Sequence, residues 1–380
     1  MQENSTNPLK GDRALSGDDK DRLGFRKVAR SIAISLVDQS TKEGLVIGLE
    51  GAWGSGKSSL LHLICAELEE LPKNSRPRIV NFRPWLIGNR DALLKNLFAE
   101  ILRQIELVAL GEGDAGPITV AKAKEAAQLL KRLVKYIGTA GSMIEFLGDA
   151  GGSSYLAFVG KFISRAKELT DEEKIPPSLF DLKSKLAKSL AELDCRFIVT
   201  IDDVDRLEPD EVIEILRLVK SVVDLPNILY LLCYDSSIIA KSIESALGIE
   251  NGNSYLEKIV QLTVMTPAPE TFQLRQWFAD ELDLIASTRD DDELSRLKQV
   301  IDLEGGYRLT TPRAVVRTLD AVRFYWPPLK ELRVDLADLV WILIIKDSNP
   351  QLYRWIEDYC ASVAAISLGT GKLSAADKEN

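Results

Sequence analysis

The residues Gly51-Ala52-Trp53-Gly54-Ser55-Gly56-Lys57-Ser58-Ser59 carry the spacing G-x-x-x-x-G-K-[ST], and these residue types at these places can hold a polyphosphate. Glycines let the loop wrap closely around an oxyanion, so backbone N–H groups and the positive end of the following helix point at phosphate. Lys57 can reach the β- and γ-phosphates of a nucleotide, and the Ser58 hydroxyl can ligate Mg²⁺. The bland alternative is a Gly/Ser turn that opens a helix and binds nothing. Against it stand all three fixed elements and their context: Leu45–Glu50 reads as a short buried strand and 58–70 as an amphipathic helix.

A second group that could do chemistry is Asp202-Asp203, directly after the apolar run Phe197–Ile201. Such a run buries a central strand, and its carboxylates emerge at the C-terminal end, where α/β sheets bind ligands. With the phosphate loop upstream, Asp202 is the acid associated with Mg²⁺. Asp203 is placed to orient or deprotonate a water that attacks the γ-phosphate. An acidic strand end that caps the next helix is the alternative. A third acid, Asp235, follows the apolar strand 227–233 and precedes a helix that starts near Ser236, which it could cap.

These groups need a scaffold, and the chain reads as one. Helices are predicted over 22–38, 91–110, 178–193 and 210–223, and strands over 45–50, 78–82, 196–201 and 227–233. The third and fourth strands are almost continuously apolar, as in strands buried on both faces of a parallel sheet. Strands alternating with helices predict an α/β fold: a parallel β-sheet sandwiched by helices with right-handed crossovers. After Pro267-Ala-Pro269 the composition turns helical, with periodic segments at 270–286, 292–302, 311–325 and 336–345. Thr311-Pro312 has the form of a helix start. The expected organisation is a polar, disordered 1–20, a nucleotide-binding core over 21–266 with a helical insertion at about 111–177, a C-terminal helical lid over 267–366 and a disordered 367–380.

The chain has 380 residues, room for roughly two to three domains or subdomains. Net charge is −9, which argues against a chain-wide commitment to nucleic acid, although the cluster Lys122–Lys135 leaves a local contact open. His62 is the only histidine, so a histidine zinc site or a Ser-His-Asp triad is not expected. The four cysteines are far apart, which points to reduced thiols and a cytoplasmic location. No run of about 18 apolar residues exists, so no transmembrane span is expected. The insertion reads as a soluble helical segment, with a peripheral membrane-surface helix as the alternative.

Four blocks together are more specific: Gly48 through Ser59, Val80-Asn-Phe-Arg-Pro-Trp85, Ile201-Asp-Asp-Val-Asp-Arg206 and Ser254-Tyr-Leu-Glu-Lys-Ile-Val-Gln261. Over roughly 22–270 the chain resembles the KAP family of P-loop NTPases, within the wider ASCE/STAND class of ATPases. The resemblance implies ATP and Mg²⁺ as ligands and hydrolysis coupled to assembly or signalling. It points to bacterial anti-phage defence, to a protein partner or effector, and to a homo-oligomer formed on nucleotide binding. KAP proteins commonly carry transmembrane helices between their two Walker motifs, and the insertion here departs from that pattern. In this class a strand lies between the P-loop strand and the acid strand, which 78–82 can supply. A polar residue in the place of Asp235 senses the γ-phosphate. A cation in the place of Lys258, just before the apolar run 259–264, reaches a neighbour's nucleotide. A lid helix presents an arginine, here Arg313. Asp205 and Arg206 form an internal ion pair or contact a neighbouring subunit. A nucleotide-gated scaffold with little turnover and a nucleic-acid-associated ATPase are the two competing functions; Asp203 favours hydrolysis, since a mere binder needs no second acid.

Overall fold

The computed structural model describes residues 9, 11, 13–16, 19–38, 43–73, 75–86, 90–111, 117–139, 179–222, 225–286 and 291–368. Most of the expected disordered start, most of the insertion and the last twelve positions of the tail lie outside the described residues.

The described chain forms two compact units, the larger of which holds residues 15–53 and 57–266. Its five strands are β1 (Leu45–Glu50), β2 (Arg78–Phe82), β3 (Phe197–Ile201), β4 (Ile228–Tyr234) and β5 (Leu262–Met265). They form one parallel sheet in the order β2-β3-β4-β1-β5. The sheet is therefore the parallel, helix-covered one expected. The strand between β1 and β3 is β4, however, and 78–82 takes the edge beside β3 instead. The chain reaches β4 only after β3 and α6 (Pro209–Val222), and then slots it back against β1, pairing Glu50 with Tyr234.

Burial on both faces explains the composition of β3 and β4, whose residues are all buried. Alternate residues of β4 point to opposite faces. Leu229, Leu231 and Cys233 pack with α1 (Phe25–Asp38) and α2 (Lys57–Glu69), against Ala29, Leu60 and Ile64. Ile228, Tyr230 and Leu232 face the other side, with Leu97 and Ile101 of α3 (Arg90–Ala109) and Val212 and Leu216 of α6. That second layer also takes α4 (Pro117–Thr139) and α5 (Leu179–Ala191). In α4, Lys122 pairs with Glu125 and Glu192, and Lys131 with Glu106. Two lysines of the basic cluster are thus engaged by acids of the same unit. Among the described residues no helix is long and apolar enough to cross a membrane.

The chain just before β5 differs from expectation. The run 259–264 is not one strand: Ile259 and Val260 donate to the Leu256 carbonyl and close the turn after α8 (Gly252–Leu256), so β5 starts only at Leu262. Gln261 bridges the two, donating from its N–H to the Val46 carbonyl and accepting the Val46 N–H at 2.7 Å on its side chain. Gly252 itself lies against the backbone of Ala240 in α7 (Ser236–Leu247); a Cβ there would stand 2.7 Å from the Ala240 Cα and closer still to its carbonyl oxygen. Backbone cannot swing away as a side chain can. Gly252→Ala should therefore cost about 1–3 kcal/mol by overpacking, and thermal unfolding should show the midpoint falling by roughly 2–4 °C per kcal/mol.

The smaller unit holds residues 1–14, 54–56 and 267–380. Its helices are α9 (Thr271–Ile285), α10 (Asp291–Arg308), α11 (Pro312–Glu331), α12 (Leu336–Ser348) and α13 (Pro350–Ser367). Leu274, Phe278, Leu297, Ile301, Val315, Leu319, Val340 and Ile344 are buried there. A buried ion pair, Arg323 to Glu281 at 2.6 Å, ties α11 to α9. Helix α11 starts at the expected cap, Thr311 accepting the Ala314 N–H at 3.2 Å, but it continues past Tyr325 through Pro327 and Pro328. Helix α13 has no counterpart in the reading of the sequence. Its signal was local: Asn349 accepts the Leu352 N–H at 3.0 Å as a cap before Pro350.

Candidate functional site

The sheet order brings the three groups of the sequence together. The carboxyl ends of β3, β4 and β1 are neighbours, so the acid pair, Asp235 and the glycine loop emerge side by side from the larger unit's sheet. Gly51 continues the strand by donating to the Tyr234 carbonyl at 3.2 Å. Gly54 and Gly56 take φ of 80° and 101°, the left-handed region that a Cβ disfavours. Helix α2 then starts at Lys57, so its unpaired N–H groups open onto the loop.

Lys57 is buried and arches over its own loop. Its ammonium donates to the Gly51 carbonyl at 2.9 Å and the Ala52 carbonyl at 3.4 Å, and pairs with Asp205 at 3.2 Å. The Ser58 hydroxyl donates to Asp202 Oδ1 at 3.1 Å. That oxygen also accepts the Asp203 N–H at 2.9 Å. A hydroxyl and a carboxylate already within hydrogen-bond distance are the hard oxygen donors that Mg²⁺ takes alongside substrate phosphates. The Ser55 hydroxyl is buried in the loop and has no hydrogen-bond partner among the described residues, a polar atom that a ligand could satisfy. The Ser59 hydroxyl accepts the Leu15 N–H at 3.1 Å.

The acid run after β3 splits by side. Asp202 and Asp205 turn toward the loop, while Asp203 and Arg206 pair with each other at 2.8 Å. Asp205 is buried beside Lys57 and Arg206 is exposed beside Asp203, so the two do not pair with one another. Asp203 takes φ 58° and ψ 35°, an uncommon conformation outside glycine that Asp and Asn tolerate best. Burial pushes its carboxyl above the usual range and the Asp202 charge pushes the same way, while Arg206, and Arg83 more weakly, pull it back. Arg206 lies over the rings of Trp53 at 5.4 Å and Trp85 at 5.9 Å. Phe82, the last residue of β2, is buried in the core, whereas Trp85, three residues on, is half exposed beside Arg206. Arg83 reaches His62 at 3.5 Å on the wall of a 580 Å³ cavity.

Asp235 fills two roles at once. Oδ1 caps α7 by accepting the Ser237 N–H and hydroxyl at 3.1 and 2.7 Å. Oδ2 accepts the Trp53 N–H of the loop at 3.1 Å. Burial alone would raise its pKa, but the bonds from Ser237, the Lys57 charge and the Trp53 N–H together hold it below the usual range. Lys258 is exposed in the turn before β5. Arg313 follows Pro312 in the first turn of α11, in the smaller unit. The thiols are free; burial, then the charges of Glu69 and Asp202, push Cys65 up to about 12, and burial pushes Cys195 up to about 11. Neither is a thiolate nucleophile at neutral pH.

The Lys57–Asp205 pair and the clasp of Arg206 by two tryptophans were not legible as contacts. The D-D-x-D-R spacing was their one signal, since a single 3₁₀ turn, Val204–Arg206, sends alternate charges to opposite sides.

Residues 25–325 match the KAP family P-loop domain. The phage T7 exclusion protein of Escherichia coli (strain K12) is 33% identical over 385 residues, a match covering 97% of this chain and 50% of that protein. The chain thus spans about half the length of this curated relative. Among solved structures, the Aeropyrum pernix ORC2 protein in its ADPNP-ADP complexes is similar at 13% identity and a TM-score of 0.40, over 88% of this chain and 70% of that one. A Walker-type ATPase of Pyrococcus abyssi is similar at 14% identity and a TM-score of 0.39, over 95% and 84%. At such scores neither structure informs the chemistry. With its glycine loop, its acid-tipped central strand and a match over most of its length, the chain belongs to the KAP family of P-loop NTPases.

Proposed function

We propose that this chain is a Mg²⁺-dependent ATPase whose nucleotide cycle drives a conformational or assembly switch in anti-phage defence. The observation that carries the chemistry is the contact of Ser58 with Asp202 at 3.1 Å, with Lys57 next to Ser58 and Asp203 next to Asp202 in the chain. In this reading Gly51 to Ser59 hold the phosphates of ATP and Lys57 meets the β- and γ-phosphates. Ser58 and Asp202 hold Mg²⁺, which would neutralise charge on the phosphate oxygens. Asp203 orients or deprotonates the attacking water, and Asp235 senses the γ-phosphate through the loop N–H it already holds. Arg313 is the lid cation in cis and Lys258 the cation offered to a neighbour. The defence setting is supported by the similarity to the phage T7 exclusion protein alone, and the partner or effector would be a protein.

A second reading, a nucleotide-gated scaffold with little turnover, is favoured by one pairing: Oδ1 of the Asp203 carboxylate is engaged by Arg206. Phosphate release at several protein concentrations, with and without Mg²⁺, separates the two. The ATPase reading expects release that stops when EDTA removes Mg²⁺. A trans role for Lys258 adds that specific activity rises with concentration and that light scattering finds a dimer or ring with ATP. Negligible release at every concentration, with ATP still bound, would leave the scaffold. A monomer of flat specific activity would remove Lys258 and leave Arg313.

A further inference from the structure

Asp203 and Arg206 stand at the two ends of one 3₁₀ turn of the larger unit, the Arg206 Nε 2.8 Å from Asp203 Oδ1. Two indoles from different parts of the chain lie against the guanidinium, Trp53 from inside the phosphate loop and Trp85 from the segment after β2. Each indole is about half exposed, at 47% and 46%. A planar cation between aromatic faces is held in orientation as well as in place, which a lysine could not reproduce. The other charged groups near Asp203 have partners of their own. Asp202 accepts from Ser58, Asp205 pairs with Lys57, and Arg83 reaches His62. Arg206 thus touches both the Asp203 carboxylate and Trp53 of the loop.

We propose that Arg206 is a positioning residue: it holds the Asp203 carboxylate through Nε while Trp53 and Trp85 fix its guanidinium, so that the state of the phosphate loop sets where the acid stands. This rests on the ATPase reading of Asp203. Filling the loop moves or steadies Trp53, Trp53 carries Arg206, and Arg206 releases or aims Asp203. Nucleotide binding itself needs none of these contacts.

The test uses the full chain with Mg·ATP, following turnover, binding of a fluorescent ATP analogue and intrinsic tryptophan emission. Arg206→Gln should lower kcat about 10- to 100-fold, the scale of a small misplacement of a reacting group, with nucleotide affinity within about threefold of wild type. Arg206→Lys should recover little, for want of a planar fork, and Trp85→Leu should fall between. The emission change on adding nucleotide should be lost in Arg206→Gln. Asp203→Asn combined with Arg206→Gln should be no slower than Asp203→Asn alone, because the two act as one unit. Wild-type kcat in Arg206→Gln beside an inactive Asp203→Asn would overturn the positioning role and leave the ATPase reading standing. So would full rescue by lysine, or a loss confined to affinity. Wild-type turnover in Asp203→Asn would overturn the catalytic role of Asp203 on which the proposal rests, and no phosphate release by the wild type would overturn the ATPase reading itself. If Arg206→Gln fails to fold, Arg206→Lys and Trp85→Leu decide by the same split of kcat from affinity.

Discussion

Lys57→Ala should abolish ATP binding and destabilise the chain at the same time, and the two losses can be separated. The ammonium is buried with Asp205, whose side chain is 2% exposed. Removing Lys57 takes away the point charge for the phosphates and strands Asp205 as a buried anion without its cation. Breaking a buried pair by losing one partner costs about 3–5 kcal/mol. Asp205→Ala added to Lys57→Ala removes the stranded charge, so the double variant should regain most of the lost unfolding midpoint. It should not regain ATP, because the phosphate cation is still absent. Titration with a fluorescent ATP analogue beside thermal melts of both variants reads the two effects. Unchanged nucleotide affinity in Lys57→Ala would contradict the phosphate-loop assignment.

Asp203→Asn should cut turnover by about 10²-fold or more, the scale of losing a general base, and leave Mg·ATP binding largely intact. Asparagine is the right replacement on backbone grounds. Position 203 sits at φ 58°, where Asn is tolerated and a plain side chain costs about 1–2 kcal/mol. A loss of activity in Asp203→Asn is thus a loss of chemistry rather than of the turn. Asp202→Ala should fail differently. It removes the carboxylate that accepts the Ser58 hydroxyl, so Mg²⁺-dependent binding should weaken, while whatever binding survives EDTA in the wild type should survive in the variant. Single-turnover phosphate release beside equilibrium binding distinguishes the pair, and equal turnover by wild type and Asp203→Asn would sink the catalytic role.

Several features of this protein are written in its local sequence. The glycine loop falls where left-handed backbone is required, at Gly54 and Gly56. The two central strands announce themselves as unbroken apolar runs because both of their faces are covered. Thr311 caps its helix as the Thr-Pro pair predicts. In each case the determinant lies within a few residues of the effect. Elsewhere local pattern fell short: Ile259 and Val260 look like strand residues, but buried turn and buried strand ask for the same side chains.

Only the tertiary structure decided which distant groups meet. Nothing in the spacing of 78–82 tells that β2 goes to the sheet edge and that β4 separates β1 from β3. The consequences are chemical: Asp235 reaches the Trp53 N–H, Asp205 reaches Lys57, and Arg206 lies between Trp53 and Trp85. Motif spacing records the residues that chemistry requires, whereas these pairings depend on where long crossovers return the chain, and on burial that makes each charge find a partner in the folded unit.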